Sequence, residues 1–94
     1  MDINTIKAKS APILKKLGVS KAAVFGSVAR QEDTQQSDID ILVDFQKKFT
    51  LFDLSELKIE LEEALGKKVD LVTYQSIHPK LKKQILSQQK ILYE

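Results

Sequence analysis

From Asp38 to Phe45 the chain alternates without a break: Ile39, Ile41, Val43 and Phe45 fall on one side, Asp38, Asp40, Leu42 and Asp44 on the other. Side chains two apart on an extended backbone share a face, so this run is a strand with an apolar face and a mainly acidic one. A second run alternates Val69, Leu71 and Thr73 against Asp70 and Val72 and predicts a strand ending near Tyr74. The apolar stretch Lys21-Ala22-Ala23-Val24-Phe25, closed by Gly26-Ser27, predicts a buried strand entering a tight turn.

Helical patterns fill the intervals. Ile3, Ile6, Ile13 and Leu17 recur at helical spacing and Gly18 follows as a stop signal. Pro12 lies inside that stretch, which leaves two readings: one helix, or two with Ser10 capping a second that begins near Ala11. Thr50 with Asp53 three residues on is a helix-start pattern, and Leu54, Leu57, Leu61, Ala64 and Leu65 form a stripe ending at Gly66. A helix from about Leu51 to Leu65 follows, with Phe49 and Phe52 flanking its start as a hydrophobic staple or, if exposed, as a partner contact. Glu56, Lys58, Glu60, Glu62 and Glu63 are expected on its wet side. Pro79 suits the first turn of a last helix whose apolar side includes Leu81, Ile85 and Leu86, with His78 at its start in a surface or capping role. Tyr74 and Tyr93 are expected at the sheet edge. The expected fold is a small α/β (α+β) unit, a three-stranded mixed sheet packed with about four helices on one side.

Ninety-four residues make one domain over 1–94, so a function that needs a second core must borrow it from another molecule. A net charge of +2, with lysines in scattered pairs, disfavours a dedicated nucleic-acid binder. No apolar run approaches the roughly 18 residues of a membrane span, and Met1-Asp2-Ile3-Asn4 lacks the basic and apolar regions of a signal peptide, so a cytoplasmic location is expected. With no cysteine and one histidine the chain offers no disulfide, thiolate site or zinc site.

The chemistry concentrates on the acidic strand. Asp38 and Asp40 emerge side by side, and two like charges that close are costly unless a cation neutralises them. Hard oxygen ligands select Mg²⁺ or Mn²⁺, which also bridge to triphosphate oxygens. Asp70, on a strand able to pair beside the first, would complete the ligands for a second ion, and a two-metal clamp suits nucleotidyl transfer. Gly26 lets backbone approach a phosphate, Ser27 adds a hydroxyl, and Arg30 stands about one helical turn further on. Each piece alone also describes something plain: a solvated strand face, a simple turn, an edge residue.

Phe25-Gly26-Ser27-Val28-Ala29-Arg30, ten residues between Ser27 and Asp38, and then Ser37-Asp38-Ile39-Asp40-Ile41-Leu42-Val43 together resemble the Gly-Ser-x10-Asp-x-Asp signature of the DNA polymerase β-like nucleotidyltransferase superfamily. The similarity is to its minimal nucleotidyltransferase (MNT) branch and extends through Val69-Asp70-Leu71-Val72 to the C-terminal residues. The resemblance implies that Gly26 and Ser27 hold a triphosphate such as that of ATP, to which Arg30, by its spacing from Ser27, is expected to add a charge-assisted contact. It likewise implies that Asp38, Asp40 and Asp70 are the catalytic, Mg²⁺-binding acids. Family members commonly carry glycine after the arginine, where this chain has Gln31, so a turn of different shape is expected there. Small MNT proteins are often antitoxins that silence a HEPN-domain ribonuclease toxin by adding AMP to a tyrosine, and the resemblance therefore implies a hetero-oligomer with such a partner. Two alternatives stay open: an antitoxin that works by contact alone, and a transferase acting on small molecules such as aminoglycosides. The absence of an acceptor domain counts against the second.

Overall fold

The structure, a computed structural model, describes residues 2–94. Met1, part of the N-terminal stretch read above against a signal peptide, lies outside the described residues. Helix α1 (Ile3–Lys16) leads to strand β1 (Val19–Phe25), short helix α2 (Gly26–Ala29), strand β2 (Ile39–Phe45), helix α3 (Leu51–Leu65) and strand β3 (Val69–Thr73). A 3-10 turn (Tyr74–Ser76), helix α4 (Pro79–Gln88) and strand β4 (Lys90–Tyr93) complete the chain.

The sheet runs β3-β2-β1-β4, with β1 antiparallel to both its neighbours and β2 parallel to β3. It is mixed, as expected, but among the described residues it has four strands where the sequence predicts three. The added strand is the four-residue segment Lys-Ile-Leu-Tyr, too short to show an alternating pattern and preceded by Gln88-Gln89 rather than a turn signal. What makes it a strand is tertiary: β1 pairs with it, and Leu92 is buried. The parallel pair β2–β3 needs a crossover, and α3 supplies it.

One face of the sheet carries the main core. Ala22, Val24, Ile39, Ile41, Val43 and Val69 pack there with Ile6 and Leu14 of α1 and with Leu57, Leu61 and Leu65 of α3. A register shift between Val19 and Lys21 turns Val19 to the same side as Ala22. In α1 the buried positions are Ile6, Ser10 and Leu14, one helical turn apart, so Ser10 sits in the middle of the buried stripe. Its hydroxyl donates to the Ile6 carbonyl at 2.6 Å, one turn back. Ser10 is therefore no cap, and α1 runs as one helix through the exposed Pro12.

The opposite face is covered too, which corrects the expectation of helices on one side. Ala23 and Leu42 are fully buried there, Ile77 is buried nearby, the 3-10 turn contacts β2, and α4 contacts β1. Helix α4 has no fully buried residue: Leu81 is 51% exposed, while Ile85 and Leu86 are half-buried. His78 caps α4, its Nδ1 accepting from the Lys80 N–H at 3.1 Å. Tyr93 lies in the edge strand β4, and the Tyr74 hydroxyl donates to Gln89 Oε1 at 2.7 Å.

Helix α3 forms as patterned. Thr50 and Asp53 make a reciprocal capping box, and Gly66 closes the helix in the left-handed conformation. The staple is not made: Phe49 stacks on Phe45 with ring centroids 4.6 Å apart, and Phe52 is 86% exposed. Nor is the polar side of α3 uniformly wet, since Glu60 pairs with Lys16 of α1 and Glu62 accepts from the Val69 N–H.

Candidate active site

Topology alone gathers the acids and the turn at one corner. Strand β1 ends where its antiparallel partner β2 begins, so Phe25 pairs with Asp40. Strand β3 runs parallel to β2 and starts at the same end, which places Asp70 in register with Asp40. Residues in register on neighbouring strands share a face, so these two carboxylates lie side by side. Asp38 stands immediately before β2, two residues from Asp40 and exposed.

Gly26 is the closest approach in this corner. Its φ is +70°, and a Cβ placed on it would run into the Asp40 carboxylate. The turn thus lies directly against Asp40, and glycine is required both by backbone conformation and by space. Helix α2 starts at this glycine with no side-chain cap. The N–H groups that open a helix have no acceptor within it, so the turn presents donors to an anion. Ser27 is half-buried in that first turn.

Charge in the corner is unbalanced. Burial first, and then the nearby charges of Asp70 and Asp38, push the Asp40 carboxyl above its ordinary pKa, while the Arg30 guanidinium partly opposes them. Asp70, Asp38 and Arg30 are thus each close enough to Asp40 to act on its charge. Arg30 is exposed, and its guanidinium donates to Glu32 Oε2 at 3.4 Å and to Gln88 Oε1 at 3.5 Å. Gln88, at the end of α4, had no sequence signal that could pair it with an arginine 58 residues away. Gln31 adopts φ 60°, so the turn after Arg30 takes a left-handed conformation that glycine favours and glutamine tolerates at some strain.

Among the described residues, no three His, Cys, Asp or Glu side chains already converge as a metal site. Asp38, Asp40 and Asp70 share a corner without closing on one point. Their chemistry still fits a hard divalent cation: an all-carboxylate donor set in which burial, and then the charges of Asp70 and Asp38, raise the Asp40 pKa.

A glycine turn and helix start facing paired strand aspartates at one corner of a mixed sheet make a nucleotidyltransferase fold. The chain belongs to the polymerase beta nucleotidyltransferase family, whose pattern matches residues 8–94. It is 58% identical over 88 residues, 94% of this chain and 95% of the other, to a Methanocaldococcus jannaschii protein assigned as a protein adenylyltransferase. A solved structure assigned as a minimal nucleotidyltransferase superimposes with a TM-score of 0.82 at 36% identity, covering 96% of this chain and 95% of that one. The MNT antitoxin of Shewanella oneidensis, solved in complex with a tri-AMPylated HEPN toxin, gives a TM-score of 0.73 at 27% identity, over 97% of this chain and 71% of that one.

Proposed function

We propose that this chain, working as a single nucleotidyltransferase domain, transfers AMP from ATP to a tyrosine of a HEPN ribonuclease toxin and so acts as its antitoxin. The observation that carries this reading is the packing of the Gly26 turn against Asp40, itself in register with Asp70, which sets a phosphate-binding element beside carboxylates on one face. Support for the acceptor comes from the adenylyltransferase relative and from the antitoxin seen with its AMPylated toxin.

In this reading the α2 N–H groups, the Ser27 hydroxyl and Arg30 bind and orient the triphosphate. Asp38, Asp40 and Asp70 would hold Mg²⁺, in two ions, and the bound metal supplies positive charge to the triphosphate and the departing pyrophosphate. The acceptor oxygen bonds to the α-phosphorus as the bond to the β-phosphate breaks. Asp70, exposed on edge strand β3, would take the hydroxyl proton.

Intact-mass measurement of the toxin after incubation with this protein, ATP and Mg²⁺ tests the proposal. The expected gain is one or more units of about 329 Da, the mass adenylyl transfer adds. A toxin silenced without any gain in mass would show an antitoxin that works by contact.

A further inference from the structure

Glu62 stands in the last turn of α3, where helical periodicity predicts a solvated side chain. Its Oε2 instead accepts a hydrogen bond from the Val69 backbone N–H at 2.9 Å. Val69 opens β3 and directly precedes Asp70. In a parallel pair, the backbone groups of alternate residues face the neighbouring strand. The Ile39 N–H donates to the Lys68 carbonyl at 2.9 Å, so Lys68 and Asp70 turn their backbone groups toward β2 and the Val69 N–H points away from the sheet. Strand β3 is an edge strand, so no further strand can take that N–H. Glu62 takes it.

The beginning of β3 needs such a hold. Asp70 lies in register with Asp40 and adds charge to a corner already crowded with Asp38, so repulsion tends to lift the start of the edge strand away from β2. The Ile39–Lys68 hydrogen bond holds the strand from the inside, the buried Val69 side chain from below, and Glu62 from the outside. The segment closed by the Glu62–Val69 bond contains Gly66, in its left-handed turn, and Lys67, whose Nζ donates to the Thr34 carbonyl at 3.3 Å. The same helix-to-strand turn therefore also tethers the loop that leads to Asp38.

We infer that Glu62 is a positioning residue for Asp70, acting through the Val69 amide and touching neither nucleotide nor acceptor. The inference rests on the site reading above, in which Asp70 is a working carboxylate. What matters is an acceptor oxygen at position 62 and not its charge, so Glu62→Gln keeps the function that Glu62→Ala loses.

Three measurements on the full chain test this. The lost hydrogen bond in Glu62→Ala should speed Val69 amide exchange by about two- to tenfold, the range one net hydrogen bond supports. Mn²⁺ affinity, followed by water-proton relaxation, should weaken by a similar factor, and kcat should fall while the KM for ATP holds, because Gly26, Ser27 and Arg30 are untouched. Glu62→Gln should restore all three. Unchanged Val69 exchange in Glu62→Ala would overturn the inference. So would faster exchange with Mn²⁺ affinity intact, or a Gln variant as impaired as the Ala variant. If the unmodified chain binds Mn²⁺ but transfers nothing, the proposed function fails, while Val69 exchange and Mn²⁺ binding still decide the role of Glu62.

Discussion

At Gly26 two independent constraints fall on one residue, a positive φ and the adjacent Asp40 carboxylate. Gly26→Ala should therefore lose more stability than the left-handed strain of about 1–2 kcal/mol alone, because Asp40 must also move. Thermal melts paired with transfer assays check this, and a variant with parental melting and turnover would show the turn to be free of Asp40. Asp40 itself makes a prediction about pH. Its carboxyl pKa is raised in the fold, so the folded chain holds that proton more tightly than the unfolded chain. The ionised carboxylate then costs stability at neutral pH, and the cost disappears as pH falls through the raised folded pKa toward the unfolded one. Asp40→Asn should melt higher than the parent at pH 7 without Mg²⁺, the gap should close toward pH 4, and nucleotide transfer should be abolished. Melting curves at both pH values read the sign directly, and a variant less stable at pH 7 would contradict it.

Among the elements, α1 shows how far local pattern reaches. Its stripe of Ile6, Ser10 and Leu14 is regular, yet the serine and the proline obscured a single helix. Pro12 gives no N–H to the carbonyl of Ala8, an exposed residue, and the helix continues because its buried side is held by packing. Pro12→Ala should restore that bond and raise stability by about 1–2 kcal/mol, less than the full 3 kcal/mol interior penalty because alanine frees the unfolded chain. Chemical denaturation measures it, and a loss of stability would mean that the proline fits α1 without cost. The same contrast explains what was legible elsewhere. Strands β2 and β3 and helix α3 carry their period and caps within a few residues, so Asp38, Asp40, Asp70 and the Gly26 turn could be found from sequence and the structure places them at one corner. Strand β4, the cover over Leu42, the Gln88 contact to Arg30 and the Glu62 bond to Val69 depend on partners distant in sequence or across an element boundary, and no local pattern records them.

Over the whole molecule, the radius of gyration is 12.3 Å, close to the roughly 12 Å of a compact chain of this length, so the described residues leave no second lobe to hold an acceptor. The corner is open to an acceptor carried by another molecule: Asp38 and Asp70 are exposed, and Asp70 stands on the outermost strand. That geometry separates two properties that a contact-only antitoxin would merge. Asp70→Asn changes one exposed carboxylate for an amide of the same shape, buries no new surface and leaves Gly26, Ser27 and Arg30 in place. The variant should fold, bind nucleotide and co-purify with its toxin as the parent does. It should nevertheless fail to add mass to the toxin, because the carboxylate that would hold Mg²⁺ and take the acceptor proton is gone. Co-purification followed by intact mass and a ribonuclease assay distinguishes the cases. Stable association, no added mass and an active ribonuclease support adenylyl transfer as the means of silencing, whereas a silenced ribonuclease without added mass would make binding sufficient.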